Sequence, residues 1–130
     1  MPVEVHIVTP EREVWSGETP LLIARGIDGM VGILAGHMPI LVQLAVAPLT
    51  ITQDIGDDIM VIIDGGFLHV ATERGVTRAD VLASGAELAS EIDVDAARRT
   101  LEGLRVSDDG SDPAVALAIV KAVARVALGG

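Results

Sequence analysis

The chain has 130 residues, no cysteine, one Trp and one Phe, and 19 acidic against 9 basic side chains for a net charge of −10. That length holds one domain, or one small domain with an appendage, and buries roughly two-thirds of the surface its unfolded form exposes, so a hydrophobic core needs no cross-links. Disulfides and thiolate metal sites are excluded, and strong negative charge with almost no aromatic side chains argues against nucleic acid as a partner, since Lys and Arg carry backbone binding and aromatic rings carry base stacking.

Half of the residues are hydrophobic, but they are dispersed. The longest apolar run, Ala114 to Val120, is far short of the roughly 18 residues that a membrane-spanning helix requires. The opening Met1-Pro2-Val3-Glu4 lacks a basic region followed by an apolar one. The expectation is a cytosolic chain with no transmembrane segment.

From Val3 to about Ala83, β-branched runs alternate with Gly, Pro and Asp punctuation, the pattern of many short strands. Val3, Val5 and Ile7 point one way while Glu4 and His6 point the other, as in a half-buried strand. Further strands are expected at Leu21 to Ala24, Val31 to Leu34, Ile40 to Val46, Leu49 to Thr52, Ile59 to Ile63, Phe67 to Thr72 and Val76 to Leu82. Turns are expected at Gly26-Ile27-Asp28-Gly29, at Asp54 to Asp58, at Gly65-Gly66 and at Glu73-Arg74-Gly75. Regularly spaced strands with no helical period between them predict an antiparallel sandwich or barrel.

After Ser84 the pattern becomes helical. Asp93 is an N-cap, and Val94, Ala97, Leu101 and Leu104 form one stripe. Ser107 to Ser111 is a polar turn. Asp112 caps a second helix that starts with Pro113, ends at Gly129, and carries a matching stripe of Ala116, Ile119, Val123 and Val126. The fold class predicted is α+β: an N-terminal antiparallel β-sandwich, residues 1–86, followed by an antiparallel two-helix hairpin, residues 87–130. Between Ala114 and Leu128 only Lys121 and Arg125 are charged, so the second helix must pack on more than its partner helix. Its many alanines bury little area, which makes that docking weak and reversible.

No constellation of catalytic residues is visible. His6, His37 and His69 share no ligand spacing, and neither a G-x-x-x-x-G-K-[ST] loop nor a G-x-G-x-x-G fingerprint is present. Asp108-Asp109-Gly110-Ser111-Asp112 fails the ligand spacing of a calcium loop, because its third position is Gly110 and its twelfth is Ile119. Asp54, Asp57 and Asp58 are read as a solvated turn. No metal site and no catalytic residue are expected. Two readings of such a chain remain open: an interaction subunit, or a small ligand-binding β-sandwich with a helical lid, which requires a concave apolar pocket with convergent polar groups.

Four strings carry a resemblance: Val8-Thr9-Pro10-Glu11-Arg12 with Trp15-Ser16-Gly17, Gly29-Met30-Val31-Gly32-Ile33-Leu34-Ala35-Gly36-His37-Met38-Pro39, Asp64-Gly65-Gly66-Phe67-Leu68-His69-Val70, and Glu91-Ile92-Asp93. In order and spacing the chain resembles the epsilon subunit of bacterial F-type ATP synthases over essentially its whole length. The resemblance implies a non-catalytic central-stalk role. In that role the sandwich binds the gamma subunit and the polar loops of the c-ring, and the hairpin regulates hydrolysis by transient contact with the alpha and beta subunits, at the cytoplasmic face of the membrane. By the same resemblance Gly29, Met30, Gly36, His37 and Met38 are candidates for c-ring or gamma contact. Arg98, Arg99, Lys121 and Arg125 are the basic residues of the regulatory helices. Some relatives bind ATP through a motif of which Glu87, Ile92, Asp93 and Ala97 are a remnant here. Ala96 stands where that motif has arginine, so no tight ATP site and no other cofactor are expected.

Overall fold

The structure, a computed structural model, describes residues 2–129. Eight strands come first: β1 (Val3–Val8), β2 (Glu13–Thr19), β3 (Leu22–Gly26), β4 (Gly29–Ile33), β5 (Ile40–Ile51), β6 (Ile59–Glu73), β7 (Val76–Ala83) and β8 (Ala86–Leu88). A 3-10 turn, Ala89–Glu91, leads into α1 (Val94–Ser107) and α2 (Pro113–Gly129). The expected β-sandwich followed by two helices is the architecture found.

The strands are hydrogen-bonded in the order β2-β1-β7-β6-β5-β3-β4, with β8 added beside the first half of β6. Every pairing is antiparallel except β1 with β7, which is parallel. The long strands β5 and β6 serve both layers. The second half of β6 continues into β7, β1 and β2 and its first half carries β8, while β5 pairs with both ends of β3, with β4 outside β3. Between the layers lie Val3, Val5 and Ile7 from β1, Leu22, Leu49, Ile51, Val61 and Ile63, and Leu68, Val70, Ala79 and Val81, all buried in one cluster. At about 25 cal/mol per Å² of apolar surface, this shared core is the main source of stability.

Several sequence expectations need correction. Ile40 to Val46 and Leu49 to Thr52 are one strand, as are Ile59 to Ile63 and Phe67 to Thr72. Pro48 lies inside β5 opposite Ile62 with the register unbroken, in a stretch where β3 offers no pairing on the other side, so its missing N–H leaves no ladder partner there unsatisfied, and Gly65-Gly66 is a bend within β6. There φ is +77° and +121°, and a Cβ on Gly66 would lie 2.2 Å from the Leu82 carbonyl oxygen. Two adjacent glycines mark the place where the strand crosses between layers with another backbone pressed against it. The remaining expected turns hold: Arg74 and Gly75 both have positive φ, the signature of a type I′ hairpin. β2 and β8 escaped prediction, β2 because Glu13, Ser16, Gly17 and Glu18 dilute its alternation and β8 because it is three residues long.

The outer face of β1 carries a charged cluster. His6 Nε2 lies 2.9 Å from Glu4 and its Nδ1 3.5 Å from Glu13, while Arg78 lies 3.9 Å from Glu4 and bridges to Asp80 at 3.0 Å. The hydrogen bond to Glu4 raises the His6 pKa above its ordinary 6.5, against a smaller opposing effect of burial, and the same bond lowers the Glu4 pKa below 4.5.

Two predictions follow from this geometry. Gly66→Ala loses about 2 kcal/mol or more in urea unfolding, because it adds a backbone clash to positive-φ strain, whereas Gly56→Ala, at φ +90° with no atom within 4 Å, loses only the strain of about 1–2 kcal/mol. The His6 raised pKa stabilises the fold below pH 6.5 and that benefit fades as pH rises through the folded value, while the Glu4 share is present above 4.5 and fades as pH falls. The Tm gap between the parent and His6→Gln is therefore widest between these values and closes as pH rises through the raised folded value of His6 in thermal melts; a gap that grows with pH contradicts the pairing.

Candidate functional site

The β3–β4 hairpin folds over the outer side of the first half of β5. Its two-residue tip, Ile27-Asp28, is closed by the Gly26–Gly29 pairing, with Gly29 at φ +138°. A groove of about 490 Å³ runs beneath it, and its lining includes Ile27, Met30, Leu41 and Phe67. Met30 is 59% exposed and Phe67 is 47% exposed, so the rim is apolar and open. The apolar strip continues across the sheet. Phe67 pairs with Leu82 and Leu82 with Val8, and all three side chains face outward. A contiguous exposed apolar band of this kind marks a contact surface.

Gly36, His37 and Met38 are placed differently. Leu34 to His37 form a turn closed by the His37 N–H donating to the Leu34 carbonyl at 3.1 Å, with Gly36 at φ +84°. That turn is tied to the far end of the β6–β7 hairpin. The Gly36 N–H donates to Thr77 Oγ1 at 2.7 Å, and Thr72 Oγ1 donates to the His37 carbonyl at 2.9 Å. His37 Nδ1 donates to the Met38 carbonyl at 2.6 Å, and Met38 is 73% exposed. Thus Gly29 and Met30 belong to the groove, while Gly36 and His37 belong to a pinned loop that presents Met38 to solvent.

The hairpin lies on the other side of the molecule, with α2 against β5 and β6. Val61, Ile62 and Ile63 are all buried: Val61 and Ile63 belong to the sandwich core, and Ile62 forms a second cluster with Ile92 and Ala97, joined by Ala124, Val126 and Leu128. Lys121 Nζ lies 3.0 Å from Asp64 Oδ2, and Arg125 makes a forked pair with Glu87 at 2.8 and 3.2 Å. Arg12 Nη2 donates to both oxygens of Glu91, at 2.9 and 3.2 Å, and this guanidinium together with the Leu88 N–H holds the Glu91 carboxyl below its ordinary pKa. Asp93 caps α1 by accepting from the Ala96 N–H at 3.1 Å, and Asp112 accepts from the Ala114 N–H at 2.9 Å, both as expected of N-caps.

The stripe expected on α2 is rotated. Ala116 and Val123 are exposed, whereas Val115, Ala118, Ile119, Ala122, Ala124, Val126 and Leu128 are wholly or partly covered. An almost wholly apolar helix offers several equivalent stripes, so periodicity alone did not select one. Arg98 approaches Asp95 at 3.9 Å on the α1 surface and Arg99 is exposed. Glu87 and Arg125, which the sequence gives different roles, meet each other. Asp64 and the Arg12–Glu91 pair went unnoticed in the sequence; the available signal was a single carboxylate closing the apolar run Ile59 to Ile63. Among the described residues no three His, Asp or Glu side chains converge on a metal position, and no helix is long and apolar enough to cross a membrane.

Comparison with known proteins covers both halves. Residues 2–89 match the family model described as "ATP synthase, Delta/Epsilon chain, beta-sandwich domain". The ATP synthase epsilon chain of Mycobacterium avium is 40% identical over 125 residues, 95% of this chain and 97% of that one. The epsilon chain of Streptomyces coelicolor is 39% identical over 111 residues, 84% of this chain and 86% of that one. Among solved structures, a chain in the Euglena gracilis mitochondrial ATP synthase (OSCP/F1/c-ring) superposes with a TM-score of 0.71 at 23% identity, covering 96% of this chain and 75% of that chain. A two-layer sandwich carrying a docked helical hairpin, with relatives alike from end to end, identifies this chain as a member of the ATP synthase delta/epsilon family.

Proposed function

We propose that the chain is the non-catalytic rotor subunit of the central stalk in a proton-translocating ATP synthase, coupling c-ring rotation to ATP synthesis at the cytoplasmic face of the cell membrane as a peripheral subunit. The observation that carries this reading is the 40% identity to an ATP synthase epsilon chain across nearly the whole of both chains. The geometry fits the task. The body is a stiff sandwich cross-tied by two strands that serve both layers, and its exposed face is apolar contact surface. Met30 and Met38 present flexible side chains that conform to a partner's shape.

In this reading the sandwich half, residues 1–86, takes the gamma subunit and c-ring through the Ile27–Met30 tip, the Phe67 band and the Gly36-His37-Met38 loop. The hairpin half, residues 87–130, restrains ATP hydrolysis through transient contact with the alpha and beta subunits. Lys121 and Arg125 are the cations it brings, with Arg98 and Arg99 from α1. Tight ATP binding is not part of the proposed role. Ala96 replaces the motif arginine, Asp93 is committed to capping α1, and Glu87 is already forked to Arg125. Loss of one charged hydrogen bond weakens a phosphate site by about 1.5–3 kcal/mol.

Three outcomes test this. The tagged full-length chain co-purifies with a gamma-like rotor protein, and a free monomer carrying a small molecule instead favours the ligand-binding alternative. Met30→Asp with Met38→Asp weakens that association roughly tenfold or more, about 1.4 kcal/mol, without lowering the Tm of the isolated chain; unchanged affinity removes the groove and loop from the interface. Calorimetric titration of the isolated chain with ATP shows no saturation in the micromolar range, and saturation there overturns the assignment of Ala96 as a disabling replacement.

A further inference from the structure

Only two residues of α2, Lys121 and Arg125, carry charge, and the rest of its circumference is apolar. Burial of apolar area is non-directional, so it does not by itself choose which side of such a helix faces the sheet. Leu117, Val120 and Val123 are left exposed, although their side chains suit a sheet face as well as those of Ala124, Val126 and Leu128, which pack on the Ile62 cluster.

The charges make the choice. Lys121 and Arg125 stand one turn apart, ~6 Å along the helix axis. Their acceptors stand on neighbouring strands: Glu87 pairs across the sheet with Ile62, two positions along β6 from Asp64, which is ~6.6 Å of strand. Two cations on a helix therefore meet two carboxylates on a sheet at matching spacing, with contacts of 3.0 Å and 2.8 Å. A shift of one residue displaces both cations by ~1.5 Å and turns them roughly 100° away.

We propose that the Lys121–Asp64 and Arg125–Glu87 pairs together are the register key of the hairpin, fixing the rotation and axial position in which α2 docks on β5 and β6. Packing supplies the adhesion and the two pairs supply the choice among apolar alternatives. Selecting one register among near-equal packings is the best-attested use of polar pairs set in apolar surfaces. The inference rests on the docked geometry alone, so its failure leaves the proposed rotor role standing, and the co-purification result is blind to it.

The test uses the full chain, whose lack of native cysteine allows spin labels at Glu18→Cys on β2 and Leu117→Cys on the outer face of α2. Pulsed electron resonance on the labelled parent gives one narrow distance peak. In D64N/E87Q that peak splits or broadens while the circular dichroism spectrum keeps its helical signal; D64K alone, which sets two cations face to face, broadens it as well, and the charge swap D64K/K121D returns a single narrow peak. K121Q/R125Q, which leaves the sandwich untouched, gives the same broadening should D64N/E87Q fail to fold. A peak that stays narrow and unmoved in the neutralised variants overturns the proposal, as does broadening that the swap fails to reverse.

Discussion

Burial of β6 on both faces is the constraint on which the rest of this molecule depends. Val61 and Ile63 point into the sandwich core and Ile62 points into the hairpin interface, so three consecutive side chains leave solvent in one short stretch of strand. At about 1.5–3 kcal/mol for a fully buried aliphatic side chain, Ile62 ties the hairpin to the same strand whose neighbours fill the sandwich core. Asp64 then supplies a carboxylate to α2, and Gly65-Gly66 turns the same strand into the other layer. Core, bend and hairpin dock are consecutive features of one β-strand.

Much of this was legible. Alternation in β1 identified its buried side, the cap residues Asp93 and Asp112 located both helix starts, and Arg74-Gly75 marked a hairpin. What escaped has physical causes. Gly-Gly reads as a turn because glycine's conformational freedom is the same whether a chain reverses or merely bends; only the Leu82 carbonyl, brought close by β7, separates the two cases. The face of α2 escaped because a helix apolar all round has no preferred stripe, and the information lay in Asp64 and Glu87, distant in sequence. The unbroken run Ile59 to Ile63 was a usable clue, since a strand apolar at every position is covered on both sides.

The candidate contact surface was legible in part. Gly29, Met30 and Met38 sit on exposed positions, but of Phe67, Leu82 and Val8, which extend the band across three strands, Phe67 and Leu82 were read as strand residues and Val8 and Phe67 as parts of the matching strings, none as contact surface. Their outward direction is a matter of pairing register. Gly36 and His37 prove to be locked to Thr72 and Thr77, so the loop has a fixed shape. The sandwich thus combines a rigid frame with adaptable methionine tips. That combination suits the force-transmitting role proposed for the chain.

Hydrogen exchange compared between the isolated chain and the assembled ATP synthase probes that contact surface most directly. Slowed exchange in residues 26–30, 34–41 and 66–68 on assembly, extending to Val8 and Leu82 at the end of the band, is the expected result. Exchange in those segments as fast in the complex as in the free chain would contradict the assignment of this face to a rotor contact.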